Sequence, residues 1–95
     1  MASLIIKIGK NAFKDCKKLK SATIEVNVKT IGSNAFKGCR SLKTINIRSK
    51  KLTKIGSNAF KGINSKATFT VPKSKAMKYT KMILKAKAPK KVTFK

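Results

Sequence analysis

The sequence predicts an α/β solenoid of short leucine-rich repeats: a right-handed superhelix of parallel strands and short helical turns, closed by a C-terminal helix–strand cap. Three observations carry this expectation. Ile31-Gly32-Ser33-Asn34-Ala35-Phe36-Lys37-Gly38-Cys39 has an earlier copy, Ile8-Gly9-Lys10-Asn11-Ala12-Phe13-Lys14-Asp15-Cys16, and a later one, Ile55-Gly56-Ser57-Asn58-Ala59-Phe60-Lys61-Gly62-Ile63. The copies begin 23 and then 24 residues apart, within the range of about 20–29 residues seen for leucine-rich repeats. The segments between copies also match: Leu19-Lys20-Ser21-Ala22-Thr23-Ile24 and Leu42-Lys43-Thr44-Ile45-Asn46-Ile47 both end in apolar residues two apart, the period of a half-buried strand.

Within each unit the residues have separable roles. The alternating segment reads as one short strand per repeat. The Ile31-Gly32 step reads as the turn out of the strand layer, with Gly32 supplying a backbone angle that strains other residues. Ser33 or Asn34 can cap a short helical turn over Ala35, Phe36 and Lys37, and Gly38 ends it. Phe13, Phe36 and Phe60 then form one inward aromatic row. A single unit cannot bury such a face; its neighbours must cover it.

These residues resemble the BspA-like (Treponema-type) leucine-rich repeat, whose pattern runs Leu-x-x-Ile-x-Ile and then Ile-Gly-x-x-Ala-Phe-x-x-Cys-x-x-Leu. The resemblance covers residues 5 to 63. It departs at Ala22, at Ile63 and at Lys66, which stands where the leucine should. Only Pro72, after Val71, keeps the proline that often follows the strand in this family. The resemblance implies a surface protein, extracellular or on the cell surface, that binds a host or neighbour-cell protein ligand.

The chain has 95 residues, enough for one small domain with a limited core. Residues 1–71 read as about three repeats, the first truncated, and residues 72–95 as a cap. The chain starts in mid-repeat, with Ile5 aligned to Val28 and Ile8 to Ile31. It is therefore expected to be a piece of a longer protein rather than a natural minimal form. An uncapped N-terminal edge would favour pairing with a second copy. The longest apolar run, Leu4-Ile5-Ile6, is far below the roughly 18 residues of a membrane span, and Met1 to Ile8 lacks the build of a signal peptide.

The cap has its own pattern. Ser74 can cap a helix over about 74–85. Ala76, Tyr79 and Ile83, with Met77 and Leu84 beside them, fall on one face, and Lys75, Lys78, Lys81 and Lys85 on the other. A basic amphipathic helix can lie on an anionic membrane; the reading adopted is that this one plugs the end of the repeats. Residues 91–94 alternate like a last strand, with Val92 and Phe94 inward.

Lysine and arginine total 25 against two acids, Asp15 and Glu25, for a formal charge of +23. Such a surface attracts polyanions. Only Arg40 and Arg48 are arginines, the residue best shaped for bidentate phosphate and base contacts, and the phenylalanines of the repeat are committed to the core, away from bases. Two readings stand: a lysine-solvated surface, and a non-specific binder of nucleic acid, teichoic acid, glycosaminoglycan or anionic membrane through residues such as Lys20, Lys43, Lys78 and Lys81.

Catalysis is not expected. The chain has no histidine, and its two acids fall in different parts of the repeat, so there is no carboxylate pair for acid–base work. Cys16 and Cys39 occupy equivalent positions and read as free thiols packed as small hydrophobes. They form neither a zinc site nor an activated nucleophile, and no cofactor or metal is expected. The candidate ligand face lies on the strands: Ser21, Thr44 and Thr68 in one row, Thr23, Asn46 and Thr70 in a second, Glu25 opposite Arg48, with Lys20 and Lys43 flanking. Small polar rows on a rigid sheet suit a protein ligand, although threonine also favours strands for its own sake.

Overall fold

A computed structural model describes residues 7–95; the readings placed on residues 1–6, Ile5 among them, lie outside it. The elements in chain order are β1 (Lys7–Ile8), β2 (Ser21–Ile24), β3 (Thr30–Ile31), β4 (Thr44–Ile47), β5 (Lys54–Ile55), β6 (Thr68–Thr70), a 3-10 turn (Lys73–Lys75), α1 (Ala76–Lys85) and β7 (Thr93–Phe94). The strands form two all-parallel sheets, β1-β3-β5 and β2-β4-β6-β7.

Each repeat thus contributes two strands, not one. The Ile-Gly step is part of a second ladder, with Ile8 beside Ile31 and Ile31 beside Ile55. The two ladders face each other across a core of Ile24, Val28, Ile31, Ala35, Phe36, Cys39, Leu42, Ile45, Ile47 and Leu52, all nearly inaccessible to solvent. The middle repeat is the best buried because it has a neighbour on both sides. The first repeat is not: Cys16, Leu19 and Ala22 are only half-buried.

The segment Gly32–Cys39 is a chain of turns rather than a short helix. Ala35 N–H, Lys37 N–H and Cys39 N–H donate to the carbonyls three residues back, Gly32, Asn34 and Phe36, at 3.2, 3.1 and 3.2 Å. The N–H groups between them donate instead to the next repeat: Asn34 to Ser57 O at 3.0 Å, Phe36 to Ala59 O at 2.8 Å, Gly38 to Lys61 O at 2.9 Å. The first copy repeats this alternation against the second. Asn34 is not a helix cap. It has φ 60°, as Asn11 and Asn58 have 59° and 60°, and it sits at the third position of a turn that requires positive φ, where Asn or Gly fits. Gly38, φ 80°, is the third residue of the last turn in the same way.

Gly32 is required for space rather than for angle. A Cβ placed on it would lie 2.5 Å from Lys10 N and 2.6 Å from Gly9 C, so the repeats close to their observed separation only without a side chain there. Phe13, Phe36 and Phe60 do stack, with centroids 5.3 and 5.6 Å apart and planes within 9°. Phe69 packs edge-on against Phe60, and Phe94 stacks on Phe69. The row is not wholly internal, because Phe13 is 40% exposed at its free end.

In the C-terminal part, the 3-10 turn and α1 follow Pro72 and Lys75, neither of which supplies a side-chain cap; Ser74 lies inside the 3-10 turn and so does not cap α1. The buried residues of α1 are Tyr79 and Ile83. Met77 and Leu84 are exposed, against the expectation that they join the buried face. After α1, Ala86 takes up the turn pattern of the repeats, its carbonyl accepting from Phe60 N–H at 3.2 Å. Strand β7 then pairs with β6, Thr93 beside Thr68 and Phe94 beside Phe69.

Candidate strand-face binding site

Period-two alternation along β2, β4 and β6 sends Ile24, Ile45, Ile47 and Phe69 into the core and leaves the intervening side chains on the outer surface. The parallel register then aligns those outer residues across the sheet. Ser21 lies beside Thr44 and Thr44 beside Thr68; Thr23 lies beside Asn46 and Asn46 beside Thr70. All are exposed except Thr68, which is half-buried. Within each row, neighbouring residues are separated by the inter-strand spacing of about 4.8 Å.

Strand β7 adds residues that the sequence pattern left out. Thr93 continues the first row beside Thr68. Lys95, two residues on, is bound to β6 through its N–H to Phe69 O at 2.8 Å and its carbonyl to Val71 N–H at 3.0 Å, and so continues the second. The signal was the Thr-x-Lys alternation at the chain end. It falls outside any repeat motif, so no neighbouring copy gave its register.

The third expected pair forms: Arg48 Nη1 lies 3.1 Å from Glu25 Oε1, both side chains about half exposed. Lys51 Nζ donates to Asn27 Oδ1 at 3.4 Å on the adjoining turn. Lys20 and Lys43 sit next to each other just before β2 and β4, with Lys43 N–H donating to Lys20 O at 2.9 Å. Lys78 and Lys81 are on α1, which packs beside β5 in the other sheet. The four lysines proposed for polyanions are therefore divided between two regions, the leads into β2 and β4 and the helix α1.

Cys16 and Cys39 are both free thiols. Cys39 is fully buried and its Sγ donates to Phe13 O at 2.9 Å. Burial pushes the Cys39 thiol above its ordinary range, which favours the unreactive protonated form. A cavity of about 320 Å³ opens at the first repeat, lined mostly by apolar groups including Ile8, Phe13, Leu19 and Ala22; it follows from the incomplete burial of that repeat.

The fold defined by these features is a repeat fold of parallel strands with one short helix, its regular outer rows suited to contact with another macromolecule. A family model described as a BspA type leucine rich repeat region (6 copies) matches residues 1–94, and the chain belongs to the BspA-type leucine-rich repeat family. No curated protein and no solved structure matches it significantly. Repeats of this family are generally non-catalytic protein-interaction modules, and no helix among the described residues is long and apolar enough to cross a membrane.

Proposed function

We propose that the chain is a non-catalytic adhesion module of an extracellular or cell-surface protein, binding a host or neighbour-cell protein through the outer face of β2, β4 and β6. In this reading residues 1–71 are repeats of a right-handed solenoid and residues 72–95 are its cap. The observation that carries it is the pair of rows Ser21–Thr44–Thr68 and Thr23–Asn46–Thr70, held in backbone register on one exposed sheet. Short polar side chains on a rigid sheet lose little conformational entropy on binding, so they suit a flat or extended protein surface. Glu25 and Arg48 edge this face and give it both signs of charge.

The test is a binding screen of the purified chain against a panel of cell-surface and matrix proteins, repeated with Asn46→Trp. A genuine strand-face ligand binds with weak salt dependence and is lost when the tryptophan stands in the middle of the row. Ligands that bind the Asn46→Trp chain as well as the parent overturn the assignment of the face.

A second reading rests on charge: 25 basic residues against two acids, one of which, Glu25, is paired with Arg48. It makes the chain a non-specific polyanion binder. Binding to duplex DNA should then fall with salt at a log–log slope of about −0.9 per phosphate neutralised and weaken to about 10⁻⁴ M at physiological salt. Lys→Gln changes at Lys20, Lys43, Lys78 and Lys81 should each flatten that slope. Sequence-selective binding at sub-micromolar concentration would place nucleic acid ahead of a protein ligand.

A further inference from the structure

The outer face of α1 differs from what its periodicity suggests, and the difference creates a surface. Tyr79 and Ile83 turn inward. The exposed residues of α1 are Met77, Lys78, Lys81, Leu84 and Lys85, with Met77 76% and Leu84 43% exposed. At 3.6 residues per turn, positions 77, 81 and 84 form one stripe, and 78 and 85 border it on one side. Two of the four large hydrophobic residues left exposed among the described residues are therefore on this one helix, next to three lysines. The last acid in the chain is Glu25; residues 72–95 carry nine lysines and no carboxylate side chain to neutralise them.

We propose that this face of α1 docks on an anionic lipid bilayer, lying flat. Met77 and Leu84 enter the boundary between headgroups and acyl chains, and Lys78, Lys81 and Lys85 meet the lipid phosphates and carboxylates. A helix whose apolar stripe adjoins a lysine face binds in this way, by apolar burial together with attraction to anionic lipid. The lysines alone would serve any polyanion. Met77 and Leu84 decide for lipid, because a soluble polyanion offers no apolar phase to receive them. Ten residues make a helix about 15 Å long, too short to span and long enough to lie along the interface. The surface belongs to α1 and is separate from the strand rows, so it stands whether or not those rows bind a protein.

The test uses the full chain with vesicles of phosphatidylcholine alone or mixed with phosphatidylserine, at about 0.15 M salt. The chain has no tryptophan, so Met77→Trp reports on its own position. Co-sedimentation with the mixed vesicles only, with blue-shifted emission from the tryptophan, is expected. The double variant Met77→Ser, Leu84→Ser should bind the mixed vesicles about tenfold more weakly or worse, the loss expected for two partly inserted apolar side chains. Both positions are exposed, and an unchanged melting temperature verifies the fold. A Lys78→Gln, Lys81→Gln, Lys85→Gln variant gives an independent reading and should also lose binding. Three results would each overturn the proposal: no sedimentation with mixed vesicles, emission that stays at its value in water while the chain is bound, or undiminished binding by the serine double variant. The last would mean that the lysines alone act, as they would toward a soluble polyanion.

Discussion

Tyr79 donates its hydroxyl hydrogen to the carbonyl of Ser49 at 2.8 Å, and this bond ties α1 to a turn at which two successive repeats differ in length. From Ile24 to Thr30 the chain advances six residues, but from their register partners Ile47 to Lys54 it advances seven. The extra residue lies in the turn 48–53. Ser49, fully buried, fills that turn: its Oγ donates to Val28 O at 2.6 Å and accepts from Lys51 N–H at 3.0 Å. Tyr79 Oη also accepts from Leu52 N–H at 3.1 Å. The Ser49 hydroxyl and carbonyl and the Lys51 and Leu52 N–H groups of the longer turn therefore all find partners, as burial demands.

Removing that hydroxyl should be costly although the ring stays. Tyr79→Phe leaves Leu52 N–H and Ser49 C=O buried without their partner, and should lower stability by about 2–3 kcal/mol. Chemical denaturation measures this directly. A loss below about 0.5 kcal/mol would mean that the turn does not depend on the helix.

The aromatic row should show a gradient along its length. Phe36→Ala removes a ring buried between two others and should cost about 3–5 kcal/mol. Phe13→Ala removes a ring that is 40% exposed and stacked on one side only, so the loss should be about half as large. Equal losses in a urea titration would contradict the order of burial.

Asn34 tests the turn geometry. With φ 60°, Asn34→Ala should cost about 1–2 kcal/mol, whereas Asn34→Gly should be close to neutral because glycine reaches this region freely. A helix cap would give a different pattern, since both changes remove the capping oxygen and alanine is the worse by a smaller margin. Thermal melts of the two variants separate these cases.

The two thiols should differ in reactivity and in their effect on alkaline stability. Cys16, half-buried, should react first with a thiol reagent, and Cys39 only on unfolding. The Cys39 thiol is raised by burial in the folded chain, so above about pH 8.5 the unfolded chain gives up this proton while the folded chain keeps it. The unfolded state then binds fewer protons, and stability falls as pH rises from there toward the folded value. Cys39→Ala should make that decline shallower; an unchanged slope would show that the thiol is not coupled to folding.

The parts of this fold that could be read from the letters are those that recur within one copy. Ile45 and Ile47 alternate on a four-residue strand, and Phe36 has a counterpart in each neighbour, so core and aromatic row were both legible. Strand β3 was not. Thr30 and Ile31 are too few to show a period, and their partners lie a whole repeat away. Asn34 suits a cap and a left-handed turn residue equally well, and the choice is made by hydrogen bonds to Ser57 and beyond. On α1, six apolar residues compete for one buried face. Tyr79 lies on it and Met77 does not, and the partner that holds Tyr79 there, Ser49, is thirty residues earlier. The outer rows were legible as far as the copies extend; Thr93 and Lys95 join them from a segment with no copy to align.

The alternation of N–H groups between Gly32 and Cys39 sets where the gene can gain or lose a codon. Each second donor closes its own turn and each intervening donor reaches the next unit, so a one-residue insertion there exchanges the two sets and misdirects every donor downstream in the segment. Whole units can be added or removed without that fault, because the alternation restarts in each. The stretch 48–53 follows another rule: it already holds one residue more than its predecessor, with a buried serine satisfying the difference. Length variation among descendants of this sequence should therefore come in steps of a full repeat, or as single codons confined to the turn that joins the two sheets.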